Sequence, residues 1–360
     1  LESVSGANIS VKWTYDFIEA ARNGDSFTLR WPVEASPDEA DMTTEVDAAR
    51  LYKKAAEMAH HSGDPGCLFY DTAKKMSTGW GYPSIDYMTT NPCGEIPMSN
   101  DSCRLMVLNL FDFVEDPFTD HAQFDFDRFY RVTYEGQRLM DDLVTLEVEA
   151  IDRILEKVRN DDEPDHVKRI EIETWEQLRD VGIANRRTGL GFTALGDVIA
   201  ALGKQYGSEE SRGVTDKIMD SKMHAEWDSS IDMAIQRGPF PNWNAEYDST
   251  EFFSRMENRN PDLYERNMKY GRRNISISTV APTGSVSLLA KIGGRHGTSS
   301  GIEPVFSTEA NQVWHTRRRR AGEEENEDFV DDSGDRWVEY RVFHSGFEQW
   351  ADTNNLDLEE

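Results

Sequence analysis

The chain has 360 residues, of which 67 are acidic and 39 basic, so its formal net charge is -28 and its pI lies near 4.6. Because such a surface repels nucleic acid and anionic lipid, the composition argues against both as partners. A hydrophobic share of 38%, with nine tryptophans, is enough for a globular core.

The first quarter of the chain is predicted to alternate strands and helices. "NISVKWTYDF" indicates a strand that runs into a helix ending at Asn23-Gly24, and "SFTLRW" indicates a second strand. A helix is predicted over 43–61, then a turn at "SGDPG" and a strand at "CLFYDT", whose Cys67 is expected in the core. The stretch "TTNPCGEIPMSNDSC" at 89–103 follows as a loop.

The rest of the chain continues the same alternation. Apolar residues at three- and four-residue steps predict a long amphipathic helix, with Leu143, Leu146, Ala150, Ile154 and Val158 on its buried face. Further helices are predicted at 190–203 and 209–236, a strand at 274–281 that enters "PTGSVS", a helix at "LLAK", and a strand at "DRWVEYRVFH". This interleaving predicts an α/β fold class.

The cysteine count and the charge balance suggest a compartment. Three cysteines in so long a chain do not form a disulfide framework, which predicts a reducing, cytoplasmic location. The sequence shows neither an apolar run of 18 residues nor a signal peptide. Of the 39 basic residues 12 are lysine, leaving 27 arginines, and acid-rich, lysine-poor chains are typical of high-salt cytoplasm. We therefore expect a halophilic source, with an acidic protein of ordinary cytoplasm as the alternative.

The cysteine loop holds the first candidate site. Asn91, Cys93 and Glu95 stand at alternate positions, so in an extended loop all three would face one side. A carboxylate beside a thiol disfavours a thiolate nucleophile, and hydrogen-atom transfer fits better, with Glu95 as a general base. Cys103 lies close enough in sequence to join in a two-electron reduction. The alternative, that these cysteines are small buried apolar residues, stays open on spacing alone.

Three other stretches are candidate sites by composition. The turn "PTGSVS" between a predicted strand and a predicted helix would aim N–H groups and hydroxyls at a phosphate, although such turns also occur for structural reasons. The glycines in "RRTGLGFTALGDVIAALG" do not fit G-x-G-x-x-G and indicate tight helix packing instead. The run Arg317 to Arg320 could reach phosphates or pair with the acidic segment that follows it. No metal site is predicted, because no ligand set with zinc spacing occurs.

Together these stretches resemble the catalytic subunit of ribonucleotide reductase, most closely the adenosylcobalamin-dependent class II. The resemblance is carried by "NPCGE" with a downstream cysteine, "RRTGLGFTALGDVIAALG", "RGPFP", "APTGSVSL" and "SSGIEPVF", in the family's order over residues 8–345. It implies a ten-stranded α/β barrel with the cysteine loop as a central finger. It also implies reduction of ribonucleotides to deoxyribonucleotides.

The resemblance assigns roles to individual residues. Cys93 matches the position of the thiyl radical that abstracts the ribose 3'-hydrogen, Glu95 the base on the 3'-hydroxyl, and Asn91 the amide that orients the sugar. Cys103 matches one member of the redox pair. The residues that match the loop holding the substrate phosphates are Pro282, Thr283, Gly284 and Ser285.

The resemblance also implies partners and an incomplete chain. We expect an incomplete barrel over residues 1–345 and a C-terminal extension at 346–360, since the second redox cysteine would precede Leu1. The expected partners are the remaining portion of the reductase, a ribonucleotide substrate, adenosylcobalamin and a thioredoxin- or glutaredoxin-type reductant. The chain alone is expected to be inactive. The alternatives are a non-catalytic nucleotide-binding or assembly piece of a divided reductase, and another glycyl-radical-type barrel enzyme.

Overall fold

The computed structural model describes residues 7–85, 89–98, 100–298, 300–304 and 314–358. The chain folds into two compact units. The first lies within residues 1–99 and 244–264, and the second within residues 100–243 and 265–360.

The described chain contains both strands and helices, in the following order within each class. The strands are β1 (Ser10–Trp13), β2 (Ser26–Trp31), β3 (Met42–Asp47), β4 (Gly66–Phe69), β5 (Thr89–Thr90), β6 (Pro97–Met98), β7 (Leu105–Asn109), β8 (Val114–Glu115), β9 (Gln123–Phe124), β10 (Gly189–Thr193), β11 (Lys291–Ile292), β12 (Arg295–His296), β13 (Trp314–Arg320), β14 (Phe329–Val330) and β15 (Arg336–Phe343). The helices are α1 (Tyr15–Asn23), α2 (Ala48–Ser62), α3 (Tyr70–Met76), α4 (Phe126–Arg159), α5 (Asp165–Asn185), α6 (Leu195–Ala201), α7 (Glu209–Arg237), α8 (Glu251–Arg259), α9 (Pro261–Tyr270) and α10 (Ser345–Thr353).

The first unit is built on a parallel pair of strands and an antiparallel hairpin. β1 pairs with β4 in parallel, and β2 pairs with β3 in antiparallel register. Helix α1 begins after Thr14, whose Oγ1 accepts a hydrogen bond from the Phe17 amide, and it ends at Gly24, which takes the left-handed conformation. The strand, helix and end point predicted there are confirmed.

The helix predicted over 43–61 is wrong in its first part. Residues 42–47 form β3 and pair with β2 along its whole length, and α2 begins only at Ala48. The Asp47 side chain accepts a hydrogen bond from the Arg50 amide at 2.8 Å and so caps this later start. The β-branched residues in "MTTEVD" favour the strand once a partner is present.

The second unit is built on another parallel pair, β7 with β10, beside the long helix α4. The helix predicted from residue 190 is wrong at its start, because residues 189–193 form β10, which is buried along its whole length. A Cβ atom at Gly189 would lie 3.1 Å from both the Arg104 carbonyl oxygen and Thr279 Cγ2. Glycine fits at this position of the strand because it has no side chain. The predicted tight packing does hold at Gly196 of α6, where a Cβ would lie 2.4 Å from the Pro304 nitrogen.

Helix α4 is confirmed, although the face that it buries differs from the prediction. Leu143 and Leu146 are exposed, whereas Met140 and Val144 are fully buried. The predicted face is correct only toward the end of the helix, at Val158. Over 34 residues the apolar positions of this helix shift between faces, so a pattern read from one half does not extend to the other.

The α/β fold class is confirmed, and the described strands do not close into a barrel. They form sheets of two or three strands, of which the pairs β1·β4 and β7·β10 are parallel. Within the described ranges, no helix combines the length and the apolar character needed to cross a lipid bilayer.

The arginine run lies on β13, in an antiparallel sheet with the order β13-β15-β14. Three of its members pair with carboxylates, of which only Glu325 belongs to the acidic segment that one alternative predicted as the partner. Arg318 donates to Glu339 at 2.9 Å, Arg320 donates to Asp335 at 2.6 Å, and Arg319 pairs with Glu325.

The Arg319–Glu325 pair gives a first testable prediction. Hydrogen bonds from the Arg319 guanidinium lower the pKa of Glu325 to about 2, so this pair stabilises the folded chain above the ordinary pKa of 4.5 and loses that contribution as the pH falls toward 2. We expect Arg319→Gln to move the Glu325 pKa up toward 4.5 in a carboxylate NMR titration. Asp331 is the internal control, because its lowered pKa depends first on the Trp337 indole N–H. An unmoved Glu325 titration would contradict the pairing.

Candidate active site

The cysteine loop closes the two-stranded hairpin of β5 and β6 in the first unit. The backbone amide of Asn91 donates to the Ile96 carbonyl at 3.1 Å, and the backbone amide of Ile96 donates to the side-chain oxygen Asn91 Oδ1 at 3.0 Å. Gly94 has a φ of +82°, and its amide donates to the Asn91 carbonyl at 3.0 Å. The loop is therefore a tight turn and not the extended segment that the alternating spacing assumed.

The turn separates the three predicted site residues by depth. Asn91 is buried, Cys93 is exposed, and Glu95 is half-buried. Asn91 Nδ2 donates to Glu95 Oε1 at 2.7 Å, which fixes the amide and the carboxylate against each other. The second oxygen, Glu95 Oε2, is buried and has no hydrogen-bond partner among the described residues. A buried acceptor of this kind is suited to a hydroxyl group of a ligand.

A cavity of about 830 Å³ lies beside this loop within the first unit. Asn91 and Cys93 line it from the loop, and Lys12 and Cys67 line it from β1 and β4. Cys67 is exposed, so the expectation that it belongs to the core is wrong. Strand β4 has only β1 as a partner in the described chain, so its other edge has no strand beside it there. The apolar residues next to Cys67 in the sequence do not reveal that this edge of the strand is unpaired.

Cys103 lies in the second unit, on the segment that leads into β7, and its side chain is exposed. The residue after it, Arg104, is buried and pairs with Asp101 at 3.3 Å and with Glu147 of α4. Arg187 also pairs with Asp101, at 2.8 Å. This buried cluster of charges fixes the backbone on either side of Cys103 while its thiol stays at the surface.

The phosphate loop predicted at residues 282–285 also lies in the second unit. Residues 274–281 form no strand ladder and meet Leu190 of β10 through one isolated bridge at Ser278. Buried Lys222 supports this contact, because its Nζ donates to the Leu190 carbonyl at 2.7 Å and to Ser278 Oγ at 2.6 Å. Burial raises the pKa of Glu226, and the adjacent Lys222 ammonium opposes that rise.

The four residues of this loop differ in their exposure to solvent. Thr283 has a φ of +57°, is buried, and hydrogen-bonds Thr193 through its hydroxyl at 3.1 Å. Pro282, Gly284 and Ser285 are exposed. The predicted helix after the loop is a 3-10 turn at Val286–Leu288, which is too short to supply the helix dipole that the sequence argument invoked.

Residues 2–323 match the family model described as ribonucleotide reductase, barrel domain, and the chain therefore belongs to this family. The resemblance drawn from the motifs is confirmed at this level.

Several relatives extend the comparison. The vitamin B12-dependent ribonucleoside-diphosphate reductase of Mycobacterium tuberculosis (strain CDC 1551 / Oshkosh) is 29% identical over 301 residues, which are 83% of this chain and 35% of that protein. The protein of the same name in Thermoplasma acidophilum is 26% identical, over 84% of this chain and 32% of that protein. The ribonucleoside-diphosphate reductase large chain of Encephalitozoon cuniculi is 23% identical, over 86% of this chain and 39% of that protein. The chain thus spans about a third of the length of these curated relatives.

Proposed function

We propose that this chain is part of the catalytic subunit of a ribonucleotide reductase, which converts ribonucleotides to deoxyribonucleotides by a thiyl-radical mechanism. The observation that carries the proposal is the arrangement of the cysteine loop. Asn91 and Cys93 line one cavity, and Asn91 binds Glu95, whose second oxygen is buried without a partner among the described residues. A ribose offers the hydroxyl groups that such an amide and carboxylate bind.

Each residue then has a chemical role. A radical at Cys93 Sγ takes the 3'-hydrogen atom of the ribose and later returns it. Glu95 accepts the proton of the 3'-hydroxyl, and Asn91 orients the sugar. The 2'-hydroxyl leaves as water. Cys103 and a second cysteine in the remaining portion of the reductase supply two electrons and two protons, and their sulfurs form a disulfide.

Adenosylcobalamin is the proposed radical source, as the names of the first two relatives suggest for those proteins. The chain fits this requirement at the loop tip, where Cys93 is exposed and the space beside Gly94 is open among the described residues. When bound, adenosylcobalamin supplies the organic radical that oxidises a thiol. A thioredoxin- or glutaredoxin-type protein is the proposed reductant of the disulfide.

The two parallel pairs, β1·β4 and β7·β10, are proposed to be parts of a ten-stranded α/β barrel that the remaining portion of the reductase completes. We place the barrel over residues 1–345 and the C-terminal extension at 346–360, in keeping with the end of β15 at Phe343 and the start of α10 at Ser345. The enzyme would act in a high-salt cytoplasm and supply precursors for DNA replication. Its acidic surface supports the halophilic part of this proposal.

The test is an assay of the complete protein that contains this chain. Each ribonucleoside diphosphate and triphosphate is incubated with dithiothreitol, with and without adenosylcobalamin, and the deoxynucleosides are separated after phosphatase treatment. We expect deoxyribonucleotide only when adenosylcobalamin is present. Equal product without it would overturn the cofactor proposal, and no product with any substrate would contradict the proposed reaction.

A further inference from the structure

A second cavity, of about 630 Å³, lies within the second unit beside the phosphate loop. Gly284 and Ser287 line it from the loop, and Arg295 lines it from the hairpin of β11 and β12. Arg317 of β13 and Glu348 of α10 complete the charged part of its wall. Segments far apart in sequence therefore converge on the loop that the sequence marks as a phosphate site.

The wall opposite the loop is held in place by specific contacts. Arg295 pairs with Glu348 at 3.3 Å and also with Asp352, which joins the hairpin to α10. Gly293, at the hairpin turn, has a φ of +54°, and a Cβ there would lie 1.7 Å from Gln349 Oε1. A side chain at this position would require the end of the Gln349 side chain to move. The stretch "KIGGRH" at residues 291–296 forms this hairpin.

The charges on the cavity favour an anion, in a chain whose net charge is -28. Two guanidinium groups, Arg295 and Arg317, line the cavity together with one carboxylate, Glu348. Within the run Arg317 to Arg320, Arg317 lines the cavity, and the other three arginines are not part of its lining. Arg317 is therefore the residue of the run that stands beside an anion bound there.

The loop itself supplies little positive charge to balance a bound phosphate. Ser287 Oγ donates to the Gly284 carbonyl at 2.7 Å, and the Thr283 hydroxyl hydrogen-bonds Thr193. The 3-10 turn after the loop adds no appreciable dipole. A phosphate beside Gly284 would thus obtain its charge compensation from a guanidinium, which can bind two phosphate oxygens at once.

We propose that Arg317 is a phosphate-positioning residue, which binds the distal phosphate of a nucleotide whose proximal phosphate lies against the loop at Gly284. This inference rests on the proposed function for the identity of the ligand, a ribonucleotide. It adds a binding group from the C-terminal sheet to the loop that the sequence identified.

The probe is inorganic pyrophosphate, and its affinity for the complete protein is measured by titration calorimetry at constant ionic strength. We expect Arg317→Gln to weaken binding about tenfold or more, because a charge-assisted hydrogen bond to the anion is lost. Glu348→Gln removes a carboxylate from the same cavity, so it should tighten binding several-fold. Arg318→Gln is the matched control from the same strand, and we expect it to stay within twofold of the wild type.

The opposite signs separate a charge effect from damage to the cavity. Unchanged affinity in Arg317→Gln, weaker binding in Glu348→Gln, or no binding by the wild type would each overturn the inference. Reduction is measured separately. If pyrophosphate binding depends on Arg317 while no deoxyribonucleotide is formed, the phosphate site stands and the proposed reaction fails.

Discussion

Replacing Cys93 by serine in the complete protein is expected to reduce deoxyribonucleotide formation to the background level. The proposed mechanism needs a group that forms a radical by giving up a hydrogen atom, and a serine hydroxyl holds its hydrogen far more tightly than a thiol does. Serine preserves the size and the polarity of the side chain. The variant therefore tests the hydrogen-atom chemistry and not the shape of the loop.

Two controls keep this result interpretable. Cys93 is exposed, so its replacement should change the free energy of unfolding by no more than about 0.5 kcal/mol. The cavity proposed to bind pyrophosphate lies in the second unit, so the pyrophosphate affinity of the variant should equal that of the wild type. Reduction that persists in a folded Cys93→Ser protein would remove the thiyl radical from the mechanism.

Local features of this chain could be predicted from its sequence, and pairing over longer distances could not. Helix α1 was found with its end point because Thr14 and Gly24 act within one turn of the helix. Strand β3 was mistaken for the start of a helix, because its conformation depends on its pairing with β2. Strand β10 was missed for a related reason. It is buried along its whole length, so its residues show none of the alternation that identifies a half-exposed strand.

The candidate site shows the same division. The family motifs single out the loops at 89–103 and 282–285 as candidate sites, because these depend on short runs of residue types. The extended backbone assumed for this loop is wrong, because Gly94 makes a turn, yet Asn91 still binds Glu95 and lines one cavity with Cys93. Cys67 and Arg295 were missed as cavity residues. The position of Cys67 depends on an unpaired strand edge, and that of Arg295 depends on a hairpin packed against α10. Neither feature follows from the adjacent residues in the sequence.

Replacing Asp141 by asparagine is expected to destabilise the chain by about 3–5 kcal/mol, the usual cost of leaving buried charges without their partner. Asp141 of α4 is fully buried. It accepts hydrogen bonds from Arg186 Nε at 2.7 Å, Asn274 Nδ2 at 2.9 Å and Arg273 Nε at 3.3 Å. Burial lowers the pKa of Arg273, the nearby Arg186 lowers it further, and Asp141 opposes both effects. Without this carboxylate, two guanidinium groups crowd one another in the interior.

The neighbouring Asp142 supplies a matched control for this substitution. Its side chain is 54% exposed and pairs with Arg237 at 3.1 Å, so Asp142→Asn should cost only about 0–1 kcal/mol. Denaturant unfolding at constant salt measures both values.

The Asn274 side-chain amide links Asp141 to the Arg186 carbonyl, and the adjacent Ile275 backbone amide donates to the Asn185 carbonyl, at the start of the segment that leads to the phosphate loop. The Thr188 amide donates to the Ser276 carbonyl of the same segment at 2.9 Å. Hydrogen exchange at the Thr188 and Ile275 amides should therefore quicken in Asp141→Asn and remain unchanged in Asp142→Asn. Equal losses of stability in the two variants would show that Asp141 is not the charge that holds this segment in place.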